Sequence, residues 1–240
     1  TLPAPAWTRE YEWSGWRSLD DLPHAVNPRG GEVAAANGNA ARLSRLREAL
    51  AVQPTFAVDD FKRLQHDVFA WNAGELVPLL ASVRSDRDAV ERARQQLLAW
   101  DKHLSMDSSA ATLYVFWERS LFRALAAGRL DPGLLDEYIS RAANVLVPAL
   151  TKPSQVWFGG DPQQARDGLL IKALASALEE LRATAGVNEQ TWAWGRLHTA
   201  TFAHPLGVTK TARRRYNVGP FERPGYAETV MSTYGSGVAA

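Results

Sequence analysis

Asp107–Gly128 reads DSSAATLYVFWERSLFRALAAG. Its apolar positions wrap nearly all the way round a 3.6-residue period, which predicts a helix buried on most of its surface. Small polar residues open it. Asp107 or Ser108 can accept bonds from the first free backbone N–H groups, and Gly128 is a natural C-terminal stop. A helix of this kind needs neighbours on several sides, and the flanking sequence supplies them. Leu43, Leu46 and Leu50 repeat at i, i+3 and i+7 in a helix that begins near Ala40 and is stopped by Pro54. Phe61, Leu64, Val68 and Trp71 share one face of a second helix. Asp86–Trp100 predicts a third, with Val90, Ala93 and Leu97 inward. Leu134–Leu150 and Asp167–Ala183 add two more, the latter with a stripe of Leu170, Leu174, Ala177, Leu178 and Leu181.

Towards both ends the helical period fails. Residues 1–36 are punctuated by Pro3, Pro5, Pro23 and Pro28, with a short strand expected at Gly31–Ala36. From Thr191 onward, Pro205, Gly207, Gly219, Pro220, Pro224 and Gly225 mark loops and short strands. Three segments follow: an extended part at 1–39, a helical domain at 40–190 and a return segment at 191–240. The fold class is α+β, predominantly helical, with short strands at both ends. Neither the opening TLPAPAW nor the closing GSGVAA has capping or anchoring logic, so the expectation is a piece of a larger protein.

Composition narrows the function. The 240 residues carry 27 Lys and Arg against 26 Asp and Glu, so no strongly basic face for nucleic acid is expected. An apolar share of 46% fills a core and excludes general disorder, but no run is long enough to cross a membrane. The absence of Cys removes disulfides, thiolate nucleophiles and Cys-based zinc sites.

Individual residues offer little chemistry by spacing alone. His198 and His204 are not at i, i+4, and His24, His66 and His103 have no ligand spacing, so no metal site is assigned. No GxSxG turn is present. Ser108 reads more simply as a helix cap than as a nucleophile. Thr1 precedes a proline-rich segment rather than opening a buried strand, which argues against a role as N-terminal nucleophile. Arg213–Arg215 read as three cations in a solvated polar loop. Trp71, Phe116 and Trp117 could reach a pocket but read as core.

A resemblance adds more. EWSGWRSLDDLPHAVNPRGGEVAAANGN, at 12–39, looks like the segment of the penicillin acylase (penicillin amidase) family of N-terminal-nucleophile hydrolases that runs through "NP.xG" to a "TANN" pair. AARLSRLREAL at 40–50 resembles the family's R-x-x-R-[IL] helix, and FAVDDFKRLQHDVFAWNAGELVPLL at 56–80 a helix pair that follows. LLAWDKHLSMDSSAATLYVFWERSL at 97–121, WGRLHTATFAHPLG at 194–207 and GPFERPGYAETV at 219–230 resemble further pieces, in the family's order.

The resemblance implies a fragment of the αββα sandwich with its large helical insertion. The activity implied is that of an acyl-amide hydrolase that matures by cutting itself. A Ser, Thr or Cys then heads the large subunit, and its own α-amine acts as general base. By register Asn37 falls on the first Asn of the TANN pair, whose side-chain amide helps hold the oxyanion. Arg42 falls on the arginine that steadies this Asn and the nucleophile's amine. The same register implies that Arg45, one turn on, contributes little to self-processing or turnover. From the residues alone, Asn37 reads as a turn residue before Gly38, and Arg42 as an exposed helix arginine.

Other implications are a small acyl-amide substrate, a small subunit cut from the same precursor, and a periplasmic or secreted location. Neither nucleic acid nor membrane is expected as a partner. The nucleophile and its cleavage junction are absent, the chain beginning by register inside the large subunit, and no residue is assigned to substrate binding. The loop between Asn37 and Arg42 has shrunk to Gly38–Ala41, so no cofactor is assigned: the calcium site of some members cannot be carried over onto residues here. Tyr226 replaces the Asp of a family G-D-G. Two rival readings stand beside this one: an acylase of homoserine lactones or lipopeptides in the same family, and a non-catalytic helical scaffold that kept the architecture.

Overall fold

The computed structural model describes Ser18 and residues 40–127, 129–131 and 143–233. The chain divides into two compact units, Thr1–Ala35 and Ala36–Ala240; apart from Ser18, all the described residues belong to the second. The expected strand Gly31–Ala36, the cap at Gly128 and the first part of the expected helix Leu134–Leu150 lie outside the described residues.

The segment 107–128 forms the central helix, α5 (Ser109–Ala126), with the helices α1 (Ala40–Leu50), α2 (Val58–Gln65), α3 (Trp71–Leu76) and α4 (Asp88–Ala99) before it. After it come α6 (Ala143–Thr151), α7 (Gln155–Phe158), α8 (Pro162–Ala185) and α9 (Trp194–Leu197). The Ser108 hydroxyl caps α5, accepting from the Ala111 N–H at 3.1 Å. Leu113 to Trp117 are all buried along it, as the all-round apolar pattern requires. Its main partner is α8. There the Trp117 indole donates to the Leu170 carbonyl at 3.1 Å, and Leu170, Leu174, Ala177, Leu178 and Leu181 form the buried stripe. Truncating an enclosed Trp or Leu of this kind typically costs about 2–5 kcal/mol. The helix α8 begins at Pro162, earlier than the apolar stripe indicates. Asp161 accepts from the Gln163 and Gln164 N–H groups, each at 3.1 Å, and proline suits the first helical turn.

One expected helix is broken. The face Phe61, Leu64, Val68, Trp71 predicts a single element, but α2 ends at Gln65 and α3 starts at Trp71. Between them the Asp67 carboxylate accepts from the Phe69 N–H at 2.7 Å. The strip then pairs with residues 102–104: Ala70 donates to the Lys102 carbonyl (2.9 Å) and Leu104 to that of Val68 (3.0 Å). Tertiary hydrogen bonds here outcompete helical ones.

The return segment carries an antiparallel hairpin of β1 (Thr199–Phe202) and β2 (Val218–Glu222), with Thr199 opposite Glu222 and Ala200 opposite Phe221. Gly219 sits at φ 116°, and a Cβ there would lie 2.6 Å from the Ala200 carbonyl oxygen, so glycine is required. Between the strands lies α10 (Lys210–Tyr216), so Arg213–Arg215 sit exposed on a short helix rather than in a loop. Predominantly helical α+β architecture is what the described residues show. No helix among them is long and apolar enough to cross a membrane.

Candidate active site

Arg42 sits in the first turn of α1, behind the buried Ala41, and is half-buried rather than an exposed helix arginine. Its Nε donates to the Thr229 carbonyl at 3.1 Å, 187 residues away in sequence. Its Nη2 donates to the Ala227 carbonyl and, at 2.7 Å, to the Ser232 hydroxyl. The planar fork of the guanidinium suits this task, because several donors in fixed directions can grip one turn. Asn37 and Thr1 lie outside the described residues. Of the two sequence-derived site residues, the structure therefore places Arg42 alone.

The turn that Arg42 grips is itself firmly built. Gly225 lies at φ 67°, where a Cβ would stand 2.8 Å from both the Met231 carbonyl and the Thr229 hydroxyl. Its N–H donates to the Leu104 carbonyl and its carbonyl accepts from the Trp194 indole, each at 2.8 Å. The Thr229 and Thr233 N–H groups both donate to the Tyr226 carbonyl at 3.3 Å, and Met231 N–H donates to the Asp67 carbonyl at 2.9 Å. His198 is buried, stacked on Trp194 with ring centroids 4.6 Å apart, and bonds the Arg223 carbonyl through Nδ1 at 3.0 Å. Burial holds its pKa below the ordinary histidine value. Its contacts in this structure, a backbone carbonyl and a stacked indole, are those of a packing residue.

Behind this turn lies a cluster that sequence reasoning did not pick out. The Glu118 carboxylate Oε1, on α5, accepts from the Tyr114 hydroxyl at 2.7 Å, the Asn72 amide at 3.3 Å and the Tyr226 hydroxyl at 3.4 Å. Burial raises its pKa to about 7, with the hydrogen bond from Tyr114 opposing and the negative charge of Glu228 adding to the rise. Burial likewise pushes the Tyr114 and Tyr226 hydroxyls well above the ordinary tyrosine value. Two signals could have found the cluster. Glu118 is the lone acid in the apolar run 109–126, one turn after a tyrosine, and Tyr226 stands where the resembling motif carries an acid.

Arg45, one turn further along α1, holds a structural position. Its Nε pairs with Asp67 at 2.8 Å and its Nη1 with Glu48 at 3.1 Å, and the guanidinium lies 4.5 Å from the Phe69 ring centroid. Burial opposes its charge, but the hydrogen bonds to Asp67 and Glu48 prevail and raise its pKa. Phe116 and Trp117 are enclosed in the core rather than facing a pocket. Among the described residues no group of three or more His, Asp or Glu is placed to hold a metal. An open cleft of about 700 Å³ is lined by His66, Met106, Asp107, Arg196, Glu222 and Met231, among others. It adjoins the Arg42 turn through Met231 but mixes charges of both signs.

Comparison with known proteins closes the assignment. The chain matches the penicillin amidase family over residues 1–239. It is 28% identical to the Penicillin acylase 2 proenzyme of Pseudomonas sp. (strain SE83), over 96% of this chain and 32% of that protein. To an acyl-homoserine lactone acylase, QuiP, of Pseudomonas aeruginosa it is 24% identical, over 82% of this chain and 28% of the relative. The solved thermostable penicillin G acylase from Alcaligenes faecalis superposes with a TM-score of 0.48 and 16% identity, over 75% of this chain and 37% of that one. The chain thus spans about a third of the length of the curated relatives it matches. With the motif segments around Arg42 and Thr229 brought together by direct hydrogen bonds, and the match running almost from end to end, the chain belongs to the penicillin amidase family.

Proposed function

We propose that this chain is the central part of the large subunit of a self-processing N-acyl amide hydrolase of the penicillin or cephalosporin acylase type. The observation that carries the reading is the family match over 1–239. It is supported by the way Arg42 ties two family-like segments together. In the proposed reaction the nucleophile, a Ser, Thr or Cys outside this chain, loses its proton to its own α-amine and attacks the acyl carbon. The carbonyl oxygen becomes an oxyanion, the amine leaves with a proton, and water then releases the acid. Asn37 supplies a neutral N–H donor to the oxyanion, and Arg42 orients it. Removing one such donor typically slows the chemical step about 10²–10³-fold.

The substrate is a small acyl amide, and the partner is a small subunit cut from the same precursor. Kinship with a relative named a proenzyme supports the second point. An acyl-homoserine lactone acylase is a second reading, favoured by the QuiP relatives. A periplasmic or secreted location is taken from the resemblance alone; a chain without Cys folds in oxidising and reducing surroundings alike. No nucleic acid or membrane partner is invoked. The test compares the complete polypeptide and its Asn37→Ala variant on a phenylacetyl amide, a fatty-acyl amide and an N-acyl homoserine lactone. Turnover on one class with kcat lowered about 10²–10³-fold and KM little changed in the variant supports the reading. Near-normal kcat in Asn37→Ala sinks the oxyanion assignment, and no turnover on any of the three sinks the acylase.

A further inference from the structure

Two sets of hydrogen bonds converge on one turn from opposite sides. From α1, Arg42 holds the carbonyls of Ala227 and Thr229 and the Ser232 hydroxyl. From α5, Glu118 receives the hydroxyl of Tyr226, the residue that opens the same turn. The Tyr226 carbonyl takes the Thr229 and Thr233 N–H groups, and its own N–H donates to the Thr229 hydroxyl at 3.1 Å. Tyr226 therefore cannot shift without moving the carbonyls that fix the guanidinium. We propose that Glu118 is a positioning residue for Arg42, acting through the Tyr226 hydroxyl and the Tyr226–Ser232 turn. The proposal rests on Arg42 serving the active site of the proposed acylase.

The chemistry of the carboxyl makes this grip sensitive to protonation. The groups facing it are Tyr114 from its own helix, Asn72 from α3, and Tyr226 and Glu228 from the turn. Three of these donate to one oxygen, an arrangement that suits a carboxylate, which only accepts. The fourth, Glu228, repels it. When Glu118 is ionised, the turn is drawn in at Tyr226 by a charge-assisted bond and pushed at Glu228, two residues on. When it is protonated, both forces fall away. The Tyr226 bond, at 3.4 Å the longest of the three, is the one most open to change. With burial holding the carboxyl at about 7, the switch falls near neutral pH.

The experiment uses the complete polypeptide, with the Arg42 Nε–H followed by ¹⁵N-resolved hydrogen exchange across pH 5.5–8.5. In the wild type the exchange protection should show a step near pH 7 beyond the ordinary base-catalysed slope. Glu118→Gln and Tyr226→Phe should each abolish the step and, above pH 7 where the wild-type carboxyl is ionised, speed exchange roughly five- to tenfold, the loss of one hydrogen bond's protection. The double variant should add little to either, because both break the same link. In turnover, kcat should lose an inflection near pH 7 in Glu118→Gln while KM stays within about twofold. The surface variant Arg87→Ala should change none of these. Unchanged Arg42 Nε–H exchange in both variants, while Arg42→Ala destroys turnover, overturns the positioning role alone. Full turnover in Arg42→Ala overturns the active-site reading, and the exchange data then decide the positioning by themselves.

Discussion

Replacing Glu118 with glutamine should change how the stability of the protein depends on pH, and by an amount that the structure sets. The folded carboxyl takes its proton at about 7, against an ordinary value of 4.5. At about 1.4 kcal/mol per tenfold change in proton affinity, this difference is worth about 3 kcal/mol. Below pH 4.5 both folded and unfolded states hold the proton, and the stabilisation is fully present. Between 4.5 and 7 only the folded state still holds it, so stability falls as pH rises. Above 7 the folded protein carries a half-buried, poorly solvated carboxylate and the contribution is gone. The amide that replaces the carboxyl in Glu118→Gln has no proton to lose in this range. The wild type should therefore lose about 3 kcal/mol relative to the variant between pH 4 and pH 8.5, whatever the offset between them at pH 4. Urea unfolding followed by tryptophan fluorescence reads this directly, since Trp117, Trp192 and Trp194 are fully buried. For a slope of about 2–3 kcal/mol per M, the difference in midpoints should move by roughly 1–1.5 M. A difference that stays flat across this range, or grows in the wild type's favour, refutes the desolvated-carboxyl account of the cluster.

Other perturbations test the site and the frame separately. Arg42→Ala in the complete polypeptide should impair both self-processing and turnover. Arg45→Ala, which breaks the Asp67 pair at 2.8 Å, should lower the melting temperature and leave kcat within about threefold; a larger loss of kcat in Arg45→Ala than in Arg42→Ala reverses the assignment. Gly225→Ala forces a left-handed residue and a contact with Met231 and should destabilise by about 1–3 kcal/mol, measured by urea unfolding. Ser108→Ala removes the α5 cap and should cost about 1 kcal/mol in the same assay, with no effect on turnover. Abolished turnover there would mark Ser108 as chemical rather than structural.

Local sequence chemistry carried much of this protein by itself. The all-round apolar run of 109–126, the leucine stripe of 170–181 and the Leu43–Leu50 repeat predicted helices that are present, because side-chain periodicity reports which faces must leave water. Resemblance, rather than spacing, singled out Arg42, and nothing local distinguished it from Arg45. Tertiary structure decided the rest. The break at His66–Ala70 arises from backbone pairing with residues 102–104, which no period along 61–71 can encode. The Glu118 cluster draws Asn72, Tyr114 and Tyr226 together from three elements. Burial and neighbouring charge, which set the pKa of that carboxyl, exist only once those elements have packed. The partners of Arg42 lie 185 to 190 residues away. A single chain's pattern records which residues prefer to be buried, but their partners are chosen by the folded geometry.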